Sequence, residues 1–152
     1  MAEEGEDETP RTVLVVDDNP RLLAFISDAL RELGSYIVAT ARDGIQGLEL
    51  CFALRPDCMV IDVRMPGLDG FQLVRALRGD PASASTPLII LTAMAQDSQR
   101  LAGLLAGVDQ YLVKPVDPLD LVAAIQQAIA LGDAARWQRM QALADAPDDE
   151  EM

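Results

Sequence analysis

The chain contains no histidine. That absence removes a Ser-His or Cys-His nucleophile pair, a zinc site with a histidine ligand, and any role as a phosphohistidine carrier. Cysteine is scarce. Cys51 and Cys58 form no close-pair motif, so buried free thiols in a reducing compartment are expected. No apolar run approaches the ~18 residues a membrane span needs, and the acidic start, Met1-Ala2-Glu3-Glu4, is no signal peptide. The expectation is a cytoplasmic protein with no membrane contact. Bases are few, 12 against 25 acids for a net charge of -13, and nothing resembles a basic surface for nucleic acid. The charge is unevenly spread. Glu3, Glu4, Glu6, Asp7 and Glu8 at one end, and Asp145, Asp148, Asp149, Glu150 and Glu151 at the other, lie in stretches without a base. Without those ten, 15 acids face the 12 bases. Residues 1–10 and 146–152 therefore read as solvated acidic tails around one domain.

What is present is a regular alternation. Thr12 to Val16 is a β-branched apolar run that ends in Asp17-Asp18. Asn19-Pro20 opens a helix carrying Leu22, Leu23, Phe25, Ile26, Ala29, Leu30 and Leu33 at helical spacing, ended by Gly34. Tyr36 to Ala39 is a second strand. Asp43-Gly44 starts a second helix, stopped by Arg55-Pro56. Cys58 to Ile61 is a third apolar strand, ending abruptly in Asp62; Asp69 then caps a helix with Phe71, Leu73, Val74 and Leu77 inward. Leu88 to Leu91 is a fourth strand ending in Thr92-Ala93. A weaker helix over Asp97 to Ala106 follows, stopped by Gly107. Val108 to Val113 is the fifth strand, ending in Lys114-Pro115, and a fifth helix runs from about Asp117 through Leu131.

Strands alternating with helices imply a parallel sheet covered on both faces. Right-handed crossovers bring the carboxyl ends of all strands to one rim. Asp17-Asp18, Asp62, Thr92 and Lys114 follow four of the five strands, so they should converge where open sheets of this class bind ligands. Taken singly each is an ordinary cap or turn residue; the joint occurrence carries the signal. Carboxylates about 4 Å apart repel by on the order of 4 kcal/mol per pair at an effective dielectric near 20, which raises a pKa unless a cation relieves it. Magnesium or manganese suits such an oxygen set. A lysine adds a phosphate-binding charge and a threonine a hydroxyl donor. The set fits phosphoryl transfer, with Asp62 as nucleophile.

The sequence closely resembles the receiver domain of bacterial two-component response regulators, from roughly Arg11 to Leu131. The matching pieces are Val13-Leu14-Val15-Val16-Asp17-Asp18-Asn19, Val60 to Gly70, Ile90-Leu91-Thr92-Ala93 and Gly107 to Pro115. The resemblance implies a flavodoxin-like α/β fold with five parallel strands in order 2-1-3-4-5. It makes Asp62 the phosphoacceptor and assigns the metal to Asp17, Asp18, Asp62 and the backbone carbonyl of Arg64. Thr92 takes the place of the switch hydroxyl, Tyr111 of the switch aromatic, and Lys114 of the phosphate-binding lysine, with a cis bond to Pro115. The side chains of Arg64 and Met94 stand where hydrolysis is tuned. The implied partners are a sensor histidine kinase or histidine phosphotransfer protein as donor, and a protein target. That target would contact the face built from the fourth helix, fifth strand and fifth helix, a face that also offers a homodimer contact.

Past Leu131, too few residues follow for a DNA-binding or catalytic output module, so a stand-alone, chemotaxis-type receiver or a relay intermediate is expected. Gly132-Asp133 reads as the end of one helix and the cap of another. Residues 132–145, with Trp137, Met140 and Leu143, form an alanine-rich helical extension that either packs back on its own domain or meets a partner or second copy. Three rivals stand beside this reading. An aspartate-nucleophile phosphatase wants a second acid two residues after the nucleophile, where Arg64 stands. A flavin domain wants a Ser/Thr/Gly-rich loop after the first strand, where Asp17-Asp18-Asn19-Pro20 stands. A receiver-like interaction module that is never phosphorylated would not need the complete polar set.

Overall fold

The computed structural model describes residues 9–93 and 107–145. The expected helix over 97–106, Met94 and most of both acidic tails lie outside them. The elements are β1 (Thr12–Val16), α1 (Pro20–Gly34), β2 (Ile37–Ala41), α2 (Gly44–Leu54), β3 (Cys58–Asp62), α3 (Gly70–Gly79), β4 (Leu88–Thr92), β5 (Gln110–Val113) and α4 (Pro118–Asp145). All neighbouring strands pair in parallel, in spatial order β2-β1-β3-β4-β5. The fold is the expected one.

Alternation along each strand divides the core in two. Leu14 and Val16 of β1, Met59 and Ile61 of β3 and Ile90 of β4 pack with Cys51 of α2 and Phe71, Leu73, Val74 and Leu77 of α3. Val13, Val15, Cys58, Val60, Ile89 and Leu91 point the other way, onto Leu23, Ile26 and Leu30 of α1 and Leu121, Ile125 and Ala128 of α4. β1, β3 and β4 are apolar on both faces because both are covered. Each fully buried Leu, Ile, Val or Phe contributes about 1.5–3 kcal/mol. Both cysteines are free and buried, and burial raises both thiol pKa values.

Local chemistry sets the element ends. The Asn19 side chain accepts from the N–H groups of Arg21 and Leu22, capping α1 with Pro20 behind it. Asp43 caps α2, and Asp69 caps α3 in a capping box with Gln72. Gly34 is the last residue of α1, but the left-handed residue is Ser35 (φ 58°). Gly34 is needed for room: a Cβ there would lie 2.4 Å from the Tyr36 ring. β5 begins at Gln110 rather than Val108; just before it, the Asp109 carboxylate takes the Leu88 N–H at 2.7 Å, while the Asp109 N–H donates to the Leu88 carbonyl at 2.9 Å.

One expectation fails. Gly132-Asp133 neither ends a helix nor caps another; α4 runs unbroken for 28 residues. Gly132 marks a close approach, since a Cβ there would meet Pro87 Cγ at 3.1 Å. The Asp133 side chain turns outward to Arg11 Nη2 at 2.8 Å, and also pairs with Arg136. Arg11 reaches Asp57 as well, at 3.4 Å, which ties α4 to the amino-terminal edge of the sheet. Trp137, Met140 and Leu143 beyond this tie are exposed.

Candidate functional site

The strand ends bring five of the expected residues to one rim. Asp17 and Asp18 follow β1, Asp62 and Thr92 close β3 and β4, and Lys114 follows β5. Parallel register sets their relative depth: Asp62 pairs with Leu91 and Thr92 with Val113. The backbone continues the ladder past the strands. The N–H of Asp17 donates to the Ala41 carbonyl at 3.1 Å, that of Val63 to Leu91 at 3.1 Å, and that of Lys114 to Thr92 at 2.8 Å. The Lys114-Pro115 bond is cis, as the resemblance implied. Asp17, Asp62 and Thr92 are buried, whereas Asp18 is exposed.

Lys114 Nζ lies 2.9 Å from Asp62 Oδ1 and 3.8 Å from Asp17 Oδ2. A charge-assisted contact at the shorter distance is a strong one. One carboxylate oxygen from each of Asp17, Asp18 and Asp62 lies within 4.8 Å of the others. Burial holds the Asp62 pKa above the ordinary carboxylate value, opposed by the Lys114 ammonium and the backbone N–H of Arg64, with Asp18 pushing upward again. Burial also raises Asp17, to about 6; the Asn19 N–H, donating to its Oδ1 at 2.9 Å, opposes this, and Asp62 adds to it. The other oxygen, Asp17 Oδ2, is buried with no hydrogen-bond partner among the described residues. A buried carboxylate oxygen without a donor is costly. A cation among the three close carboxylates would offset that cost, and an all-oxygen set of this kind matches a hard divalent ion.

Among the other expected site residues, Arg64 is exposed, with its backbone N–H turned to Asp62. Tyr111 is 37% exposed on β5, in register with Ile90. Met94 lies outside the described residues. Two contributors were not singled out from the sequence. Asn19 was read as a helix start, yet its N–H donates to Asp17 Oδ1 at 2.9 Å. Gly70 was read as the tail of a motif, yet a Cβ there would lie 2.5 Å from the Asp62 carbonyl oxygen and 2.5 Å from Val63 Cα. The Gly70 N–H donates to the Val63 carbonyl at 3.1 Å. A glycine at the first position after a cap was the available signal.

This rim and its sheet order match a family model described as the response regulator receiver domain over residues 13–126. The chain belongs to that family. As a receiver domain it is 44% identical over 118 residues to the transcriptional regulatory protein PrrA of Mycobacterium tuberculosis, covering 78% of this chain and 49% of that protein. It is 40% identical over 115 residues to an uncharacterised 14.6 kDa protein of Leptolyngbya boryana, covering 76% of this chain and 87% of the other. The chain spans about half the length of several of the curated relatives it matches. Among solved structures it resembles the receiver domain of a sensor histidine kinase from Pseudomonas aeruginosa, described with magnesium coordinated in its active-site cleft. The TM-score is 0.72 at 35% identity, over 80% of this chain and 99% of that one. The chemotaxis response regulator CheY4 of Vibrio cholerae gives a TM-score of 0.71 at 33% identity, over 79% and 99%. Among the described residues of this receiver domain, no helix is long and apolar enough to cross a membrane.

Proposed function

We propose that this receiver domain is a cytoplasmic signalling switch that accepts a phosphoryl group on Asp62 from a phosphohistidine of a partner protein. The observation that carries the reading is Asp62, buried at the end of β3, with the Lys114 ammonium 2.9 Å away and two further carboxylates beside it. In the transfer, an Asp62 carboxylate oxygen forms the new bond to phosphorus, the phosphorus–nitrogen bond of the donor breaks, and the electron pair leaves with the imidazole nitrogen. Lys114 supplies fixed positive charge to the phosphoryl oxygens, and Thr92 a hydroxyl donor at the same rim. The fixed strand ends pre-position all three. Asp17, Asp18, Asp62 and the backbone carbonyl of Arg64 would hold magnesium or manganese, which when bound neutralises charge on the carboxylates and the transferring group.

The readout is a population shift. Added negative charge at Asp62 draws Thr92 toward it, and Tyr111, half-exposed on β5, fills the space released. The surface around β5 and the first turns of α4 then presents a different shape to a protein target. The Arg64 and Met94 side chains would set how readily water reaches the acyl phosphate. The test is intact mass after incubation with acetyl phosphate and magnesium. Wild type should gain one phosphoryl group and Asp62→Asn should not. No adduct on wild type, or an equal one on the variant, would sink the reading.

A further inference from the structure

Packing on both faces holds β3 and β4, whose residues are all buried. β5 is held differently. It has four residues, none of them fully buried, and among the described residues its one strand neighbour is β4. A strand with little burial is weakly specified in register. Yet β5 delivers Lys114, whose ammonium lies 2.9 Å from Asp62 Oδ1. A slip of one residue would carry Lys114 about 3.3 Å along the strand and break that contact.

The opposite end of β5 is tied down by polar bonds. Arg78, in the last turn of α3, donates from Nε to the Gly107 carbonyl at 2.6 Å. Its Nη1 donates to the Ala84 and Thr86 carbonyls at 2.9 and 2.7 Å, and its Nη2 lies 3.4 Å from Asp109 Oδ2. That same carboxylate oxygen accepts the Leu88 N–H at 2.7 Å, while the Asp109 N–H donates to the Leu88 carbonyl at 2.9 Å. One guanidinium thus joins the residues just before β5 to those just before β4. The fork of five donors makes this possible; a lysine ammonium has three donors on a single point.

We infer that Arg78 is a positioning residue for phosphoryl transfer, setting through Asp109 and the β4–β5 register where Lys114 stands relative to Asp62. The inference rests on the reading of Lys114 as the group that meets the phosphoryl oxygens. The ladder carries the constraint along the strand. Ile89 pairs with Gln110 and Thr92 with Val113, and the Lys114 N–H closes the ladder on the Thr92 carbonyl at 2.8 Å. Asp17, Asp18 and Asp62 stand at the ends of β1 and β3, outside this chain of bonds. Loss of Arg78 should therefore displace Lys114 and spare the three acids.

Amide exchange of the full-length chain, followed by nuclear magnetic resonance, reads the pinning without phosphate. In Arg78→Gln the Lys114 amide should exchange about tenfold faster or more. The Val63 amide, bonded to Leu91 across the buried β3–β4 pair, should stay within about twofold. Magnesium affinity, from the amide shifts of Asp17 and Asp18, should also stay within about twofold, while intact mass shows uptake from acetyl phosphate at saturating magnesium slowed about tenfold or more. Arg78→Lys should not restore uptake. If circular dichroism shows Arg78→Gln unfolded, Asp109→Ala, which removes the contact to Leu88, carries the same expectations. Equal acceleration of both amides, unchanged Lys114 exchange, unchanged uptake, full rescue by Arg78→Lys, or magnesium affinity falling in step with uptake would each overturn the inference. A wild type that gains no phosphoryl group would sink the phosphoacceptor reading instead, and the contrast between the two amides would still decide whether Arg78 pins β5.

Discussion

Replacing Asp17 with asparagine should stabilise the protein while abolishing its response to magnesium. Asp17 is 1% exposed, and burial raises its pKa from 3.8 to about 6. A carboxyl whose folded pKa exceeds its unfolded value binds more protons in the folded state. Its contribution is therefore most favourable below pH 4 and is lost as pH rises through about 6. Two pKa units at about 1.4 kcal/mol each give a cost on the order of 3 kcal/mol at pH 8. Asparagine keeps the volume and the acceptor for the Asn19 N–H while removing the charge. In the presence of a chelator at pH 8, Asp17→Asn should be more stable by on the order of 3 kcal/mol, or several degrees in Tm for a domain of this size. At pH 4 the two proteins should converge. Magnesium should stabilise wild type in proportion to the logarithm of its concentration and leave the variant unmoved. Urea unfolding followed by far-ultraviolet circular dichroism, at both pH values and with and without magnesium, gives all four numbers. A variant less stable than wild type at pH 8, or one that gains as much from magnesium, would refute the view that Asp17 is a buried charge awaiting a cation.

Lys114→Met should leave Asp62 and Asp17 buried beside each other without their cation, costing about 2 kcal/mol or more at pH 8 and less at pH 5; equal losses at both pH values in chelator would contradict this. Gly70→Ala forces a methyl group within 2.5 Å of the Asp62 and Val63 backbone; it should cost at least about 2 kcal/mol and slow phosphoryl uptake in an intact-mass time course. Tyr111→Ala should accept phosphate at the wild-type rate yet lose most phosphorylation-dependent capture of a kinase-pathway partner; intact capture would remove Tyr111 from the switch.

Much of this fold was legible because its strands are buried on both faces. Val13 to Val16, Cys58 to Ile61 and Leu88 to Leu91 are continuous apolar runs, and each ends where the chain reaches water at the rim. A polar residue there is conspicuous, so Asp17, Asp62, Thr92 and Lys114 could be picked out before any geometry. Helix starts were legible through Asn19, Asp43 and Asp69, whose capping needs only local chain. The misreadings share one cause. Gly34 does end its helix, but Gly132 does not: it is a local stop signal that Pro87, distant in sequence, requires for space. Asp109 was read inside a strand because nothing local says that its carboxylate will take the Leu88 N–H.

The sequence by itself determined the parallel sheet, the polar set at its rim and the charge imbalance of the ends, because apolar period, capping and composition are properties of short stretches. Only the tertiary structure decided which of the acids is buried without a donor, how close Lys114 comes to Asp62, and where Trp137 stands. Those depend on residues from β1, β3, β4 and α4 meeting across separations of tens of residues. Burial, and with it the cost of each charge, exists only once they have met.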